Sequence, residues 1–295
     1  MAVFDVNLLG AMQQAIANDE FVLHYQPQVD LASGEVLGLE ALLRWQHPER
    51  GLLEPREFLS TAVGSELIVA IGRWVLEQVG REVKSWRTLP ALATTGHLKQ
   101  VWVNVSAVEL AQAEFLETVR GVVDAGEIPL GVLGMEISEA DLIAHSDELR
   151  ATLDGLRELG VLLAVDDFGT WYSSLAGLKG LPLDAVKLGH QFVRGVGQDL
   201  AEDAIVASVV NLVHARGLVV VAEGVESWTE GARLCEMGCD RAHGYLFSGP
   251  QRADRARSML TKGTGWNAPG AGFGSDWPIP DPRATDDEPA HRDAD

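Results

Sequence analysis

The sequence predicts an α/β fold of repeated strand-helix units closed into a barrel, and three observations predict it. Short β-rich runs alternate with longer segments of helical period. Six of those runs end in a polar or charged residue, and the intervals between most of these ends match one βα unit. The runs lie at residues 21–29, 35–43, 101–105, 131–137, 161–165, 184–188 and 218–222, and the helical segments at 67–86, 146–159, 200–216 and 227–237. In the first helical segment Leu67, Ile71, Trp74, Val75, Val79 and Val83 recur at steps of three and four, forming one apolar stripe that should pack on a sheet.

The polar ends are Glu40, Asn104, Glu136, Asp166, Lys187 and Glu223. From Asn104 onward they stand roughly 20–36 residues apart, and the longer interval before Asn104 has room for two units. In a closed parallel barrel the carboxyl ends of the strands share one mouth, where TIM-barrel active sites lie. Four carboxylates, an amide and a lysine would meet there.

Crowded carboxylates repel one another, so some must hold protons or the site must hold cations, and cations are the simpler solution. Oxygen ligands from Glu40, Asn104, Glu136 and Asp166 suit a hard divalent ion such as Mg2+ or Mn2+, whereas zinc sites more usually recruit His or Cys. Neighbours along a strand point to opposite faces, so Asp167 joins Asp166 only from beyond the strand, and Gly169 supplies a residue suited to such a turn. A two-metal site clamps the attacking and leaving oxygens of a phosphoryl transfer and activates water, with Lys187 orienting that water or neutralising developing charge. The pattern fits a phosphodiesterase. It fits equally an enolase-like barrel that uses lysine, carboxylates and magnesium to abstract a proton.

The 295 residues are 46% hydrophobic, enough for a large buried core, and carry a formal net charge of -20. That charge argues against a polymeric nucleic-acid partner, whose phosphates require many Lys and Arg contacts, but not against a small anion held through metals. Cys235 and Cys239 are too few for a disulfide framework and read as buried thiols. No apolar stretch approaches the roughly 20 residues that span a bilayer, and the acidic start lacks a signal-peptide pattern, so no membrane partner is expected and a cytoplasmic location is. Composition divides the chain into a barrel domain at residues 1–262 and a Gly/Pro/Asp-rich tail at 263–295, expected to be disordered. About twenty residues precede the first strand, so no sensory module is expected within this sequence ahead of it.

Gly38-Leu39-Glu40-Ala41-Leu42-Leu43-Arg44-Trp45 resembles the signature of EAL domains, which hydrolyse cyclic di-GMP to the linear dinucleotide pGpG. The likeness extends through Tyr25-Gln26-Pro27, His47-Pro48-Glu49, Asn104-Val105-Ser106, Glu136-Ile137-Ser138-Glu139, Asp166-Asp167-Phe168-Gly169-Thr170, Tyr172-Ser173-Ser174-Leu175 and Glu223-Gly224-Val225-Glu226, in order, from about residue 10 to residue 260. The resemblance implies a TIM-like (β/α)8 barrel with one antiparallel strand. The runs at 21–29 and 35–43 agree, because a link as short as 31–34, with Ser33-Gly34 as its turn signal, permits a hairpin and not a parallel crossover. It also implies that Glu40, Asn104, Glu136 and Asp166 bind a first metal and that Asp166 bridges to a second held with Asp167. Glu223 would support the second metal, Lys187 would lie beside the nucleophilic water, and Glu139 would brace the loop after Asp167. Gln26, Arg44, Glu226 and His243 are the candidates for holding the nucleotide. Family members often form homodimers through elements beside that loop, so a homodimer is a further expectation.

The chain departs from the family pattern at four places. Lys-x-Asp becomes Lys187-Leu188-Gly189, Gln-Gly-Tyr becomes His243-Gly244-Tyr245, a loop glycine becomes Trp171, and an early Ala-Glu becomes Ala62-Val63. None removes a first-metal ligand, but the carboxylate missing at Gly189 would normally help organise the lysine and water. The alternative to a working phosphodiesterase is therefore a catalytically impaired domain acting as a cyclic di-GMP receptor or a protein-interaction module.

Overall fold

Strands buried on both faces need near-continuous apolar runs, and the runs of this sequence form them. In the computed structural model, which describes residues 6–63, 65–88, 100–169 and 180–262, the strands are β1 (Phe21–Asp30), β2 (Val36–His47), β3 (Gly51–Leu53), β4 (Gln100–Asn104), β5 (Leu133–Ser138), β6 (Leu162–Phe168), β7 (Ala185–Leu188), β8 (Val219–Ala222), β9 (Arg241–Ala242) and β10 (Gln251–Arg252). Eight of them close a ring in the order β1, β2, β4, β5, β6, β7, β8, β9 and back to β1. Every pair from β2 round to β9 is parallel, while β1 runs antiparallel to both neighbours. This is the TIM-like barrel with one reversed strand that the sequence predicts.

The reversal begins in the turn after β1. There the Asp30 carboxylate accepts from the backbone N–H groups of Ala32 and Ser33 and from the Ser33 hydroxyl, and Gly34 takes a left-handed φ of 78° that a side chain would resist. The interval between Glu40 and Asn104 holds fewer units than the sequence spacing allows. β2 pairs directly with β4, and what intervenes among the described residues is the β3 hairpin extension, two short helical turns and the long helix Glu66–Arg87. The helix expected from residue 146 starts at Glu139, directly after β5. A break at His145 (φ -130°, ψ 18°) interrupts its period, which is why the sequence reveals only its second part. β9, at two residues, is too short to show a period and goes unseen in the sequence.

Period-two alternation divides the barrel wall. Outward residues such as Val103, Met135, Ile137, Val165, Val186 and Val220 join the main core against the helices, each contributing roughly 1.5–3 kcal/mol by burial. Inward, Trp102, Ala164, Ala185 and Val221 form a separate small cluster that plugs the lumen. Trp102 fits there because Gly134 faces it bare: a Cβ at Gly134 would lie 2.3 Å from the indole. Two residues further along each strand, on the same inner face, come Asn104, Glu136, Asp166, Lys187 and Glu223. The plug thus forms the floor of the site.

Among the described residues no helix is long and apolar enough to cross a membrane. Cys239 is buried, and burial pushes its thiol up to about 12. Cys235, expected to be buried as well, is only partly so. The expected tail at 263–295 lies outside the described residues.

Candidate active site at the barrel mouth

Lys187, fully buried on β7, is the point on which the acids converge. Its Nζ lies 2.6 Å from Glu136 Oε2, 2.6 Å from Glu223 Oε1, 3.2 Å from Glu40 Oε2 and 3.3 Å from Asp166 Oδ1. The Asn104 side-chain amide donates to Glu40 Oε1 at 3.0 Å, joining the sixth of the predicted polar positions to the cluster. Glu40 is not at a strand end, however. β2 continues to His47, so Glu40 meets the others part-way along its strand, opposite Gln26 of β1.

The protons divide unevenly in this cluster. Burial alone would lower the Lys187 ammonium, but Asp166, Glu136, Glu223 and Glu40 outweigh it and hold the group well above the ordinary lysine value. Burial drives Glu136 well above the usual carboxylate range, aided by repulsion from Glu40. Burial also lifts Asp166, to about 7; Lys187 opposes the rise, while Glu223, Glu40 and Asp167 add to it. Glu223 is equally buried, yet Lys187 and His243 reverse the effect and hold it far down, and Glu40 is depressed by the same two partners against its own burial. Two carboxylates therefore keep their charge readily, while Glu136 and Asp166 resist ionisation.

Burial raises the Asp167 carboxyl, Glu223 and Glu40 adding to the rise and Lys187 opposing it, and the backbone beside it turns differently from what the sequence suggests. The turn was expected at Gly169, beyond the strand. Instead β6 continues to Phe168, its register with β7 shifts between Val165 and Phe168, and Asp167 itself adopts a left-handed φ of 52°. A β-bulge is the device that re-aims a side chain beside a site, and a positive φ on a non-glycine residue is a strain that surrounding structure must hold. Gly169 follows at φ 92°, and its N–H donates to Oε2 of buried Glu139 at 2.9 Å. Trp171 and the rest of the loop to residue 179 lie outside the described residues.

The other candidates divide. Gln26 is buried, and its Nε2 donates to the Ser248 carbonyl at 3.1 Å. Arg44 is buried with Nη1 on the Leu43 carbonyl, and burial depresses its guanidinium despite nearby Glu54, Tyr245 and Glu40. Glu226 is exposed after β8, where its backbone N–H donates to Glu230. His243, expected beside the nucleotide, stands next to the acids: its Nε2 is 3.0 Å from Glu223 Oε1. Sequence reasoning missed Gln28, whose Nε2 donates to Glu136 Oε1 at 3.3 Å. Its two-residue step from Gln26 on the same strand face was the signal that could have found it. At Gly189 the missing carboxylate leaves room that Gln191 fills, since a Cβ there would lie 2.8 Å from Gln191 Oε1 and 2.9 Å from its Nε2.

These residues fit hard divalent cations. The donors are mostly carboxylate and amide oxygens, and three buried atoms here, Gln28 Oε1, Asp166 Oδ1 and His243 Nδ1, have no hydrogen-bond partner among the described residues, Asp166 Oδ1 meeting only the Lys187 ammonium at 3.3 Å. Fold and site together define an eight-stranded α/β barrel with an acidic, lysine-centred mouth at the carboxyl ends of its parallel strands. The chain belongs to the EAL family, with residues 10–250 matching the model of the EAL domain.

Among curated relatives, the bifunctional diguanylate cyclase/cyclic di-GMP phosphodiesterase MucR of Pseudomonas aeruginosa is 36% identical over 85% of this chain and 36% of its own length. The cyclic di-GMP phosphodiesterase PdeR of Escherichia coli is 38% identical over 82% of this chain and again 36% of its own. The chain thus spans little more than a third of these relatives. The solved structure of the PaMucR phosphodiesterase in a c-di-GMP complex superposes with a TM-score of 0.78 at 36% identity, covering 85% of this chain and all of that one.

Proposed function

We propose that this EAL domain is a phosphodiesterase that hydrolyses cyclic di-GMP to linear pGpG with the help of two divalent ions, Mg2+ or Mn2+. The observation that carries the reading is the convergence of Glu40, Glu136, Asp166 and Glu223 on Lys187 Nζ within 3.3 Å, with Asn104 bonded to Glu40. Relatives and a solved structure bearing cyclic di-GMP in their names support the substrate.

In this reading Glu40, Asn104, Glu136 and Asp166 would hold one ion, with Asp167 and Glu223 helping to hold another. The ions would supply Lewis acidity and neutralise charge on the phosphoryl oxygens. Lys187 donates to the attacking water and to the charge that develops as the water oxygen bonds to phosphorus and the bond to the leaving ribose oxygen breaks. Gln26 and Arg44 hold the phosphate and nucleotide, Glu226 a guanine edge, and Glu139 keeps Asp167 in its strained conformation. The same reading comprises a barrel domain at 1–262 with a separate tail at 263–295, a cytoplasmic location and a homodimer free of membrane or polymeric nucleic acid. Sedimentation velocity of the purified chain tests the dimer.

Incubation with cyclic di-GMP and either Mg2+ or Mn2+ should yield pGpG on an ion-pairing column, and Glu40→Ala should abolish the product while leaving the circular dichroism spectrum intact. No turnover with either metal would overturn the reading. A second reading, a receptor that binds without cleaving, is favoured by one observation: Gln191, a neutral amide, fills the space above Gly189 where the family has a carboxylate. Calorimetric binding of cyclic di-GMP without product formation would establish it.

A further inference from the structure

We propose that His243 is itself a metal ligand, through Nδ1, and that this nitrogen makes the centre prefer transition-metal ions, Co2+ above all and Mn2+ less strongly, over Mg2+. The proposal rests on the reading that the mouth binds divalent ions, and it adds a ligand of a different chemical kind.

The backbone fixes the ring's place. His243 follows directly on β9, and its N–H donates to the Ala222 carbonyl at 3.0 Å while its own carbonyl accepts from Val225 N at 3.1 Å. Gly244 is pressed against the next segment so closely that a Cβ would lie 2.2 Å from the Val225 carbonyl oxygen. This close approach seats the imidazole between Glu223 and Glu40.

The hydrogen bonds then assign the ring nitrogens. Nε2 stands 3.0 Å from Glu223 Oε1, a carboxylate oxygen that can only accept, so Nε2 carries a proton; a cation at Nδ1 would take the place of any second ring proton and meet that nitrogen's lone pair. Nδ1 is buried with no hydrogen-bond partner among the described residues, and the side chain is only 9% exposed. Its charged neighbour is Glu40 Oε2 at 3.8 Å, too far for a hydrogen bond. Two electron-pair donors facing each other across this gap are the arrangement a cation satisfies: an ion about 2.1 Å from each would span it at an open angle. Glu40, Glu223 and His243 each offer a ligand atom, and the three lie within 4.8 Å of one another. A carboxylate that orients one nitrogen of a histidine while the other meets the metal is the common support of histidine ligands.

Selectivity follows from the donor. Magnesium takes oxygen ligands and dehydrates reluctantly, whereas imidazole raises affinity along the series from manganese to cobalt and beyond.

The test uses the full chain loaded with Mn2+ alone. Pulsed electron spin echo of the bound ion should carry the modulation of a directly coordinated imidazole nitrogen, and His243→Gln should lose it. Calorimetric titration should show Co2+ binding weakened about 10- to 100-fold in His243→Gln, a loss typical for a disturbed ligand sphere, with Mg2+ binding changed much less. Mn2+ bound without nitrogen modulation would overturn this proposal and leave the metal-dependent phosphodiesterase standing. Failure of the wild-type chain to bind any of the three ions would overturn both. The spin-echo measurement on the wild type decides the matter even if the variant does not fold.

Discussion

Replacing Lys187 by methionine removes the ammonium on which four carboxylates converge while keeping the length of the side chain. Each carboxylate lies between 2.6 and 3.3 Å from Nζ, so at an effective dielectric near 20 each contact whose carboxylate is ionised amounts to roughly 5–6 kcal/mol before desolvation is counted. Desolvation consumes most of that. Removing one partner of a buried ion pair typically costs about 3–5 kcal/mol net, because the remaining charges have lost their counter-ion. For a domain of this size the loss corresponds to a fall of about 10 °C in Tm. The acids recover part of it by binding protons. With Lys187 gone their pKa values rise, so the variant should lose more stability at pH 8 than at pH 5. Thermal unfolding in chelator, at both pH values, measures the effect, and Mn2+ should stabilise the variant more than the wild type. A loss below about 1 kcal/mol at pH 8, or one that does not grow with pH, would refute the idea that Lys187 neutralises the cluster.

Metal affinity should rise with pH through about 7. Burial holds Asp166 up to about 7 and Glu136 well above its usual value, so the folded protein keeps protons that the unfolded chain has released. These two groups therefore favour the folded state at low pH and lose that contribution as pH rises through the folded values. A metal ion must displace the same protons. Calorimetry at pH 6 in buffers of different ionisation heat should detect proton release, and none would contradict the assignment. Glu139→Ala leaves the Gly169 N–H without its carboxylate acceptor, at a local cost of about 1–3 kcal/mol; turnover should fall with the barrel intact, and Glu139→Gln should recover part of it. Gly134→Ala forces a methyl into the Trp102 indole and should destabilise the barrel by about 1–3 kcal/mol, read as a lower urea midpoint; an unchanged midpoint would show that the plug can shift.

Much of the fold is legible along the chain because its cause is local. Strand runs, their spacing and the short link at 31–34 depend on nearest neighbours and chain geometry, and they point to βα units opened by a hairpin, while the family resemblance implies that one strand of the barrel is reversed. β9 escapes because two residues carry no period, and the helix from Glu139 is masked by its break at His145. The overestimate of units before Asn104 has the same origin: interval length says how much chain is present, and only pairing of β2 with β4 says that no strand stands between them.

What the sequence by itself determines is which chemical groups meet. Residues at matching heights on parallel strands must share a mouth once the sheet closes, so Glu40, Asn104, Glu136, Asp166, Lys187 and Glu223 can be named from alternation and spacing. What only the tertiary structure decides is how they share charge and aim. Burial is outweighed by Lys187 and His243 at Glu223 but drives Glu136 up, a register shift with positive φ sets the backbone of Asp167, and the return of β9 beside β8 sets His243 against Glu223 and Glu40. Coulomb and desolvation energies depend on separations through space, and no reading of order along the chain contains them.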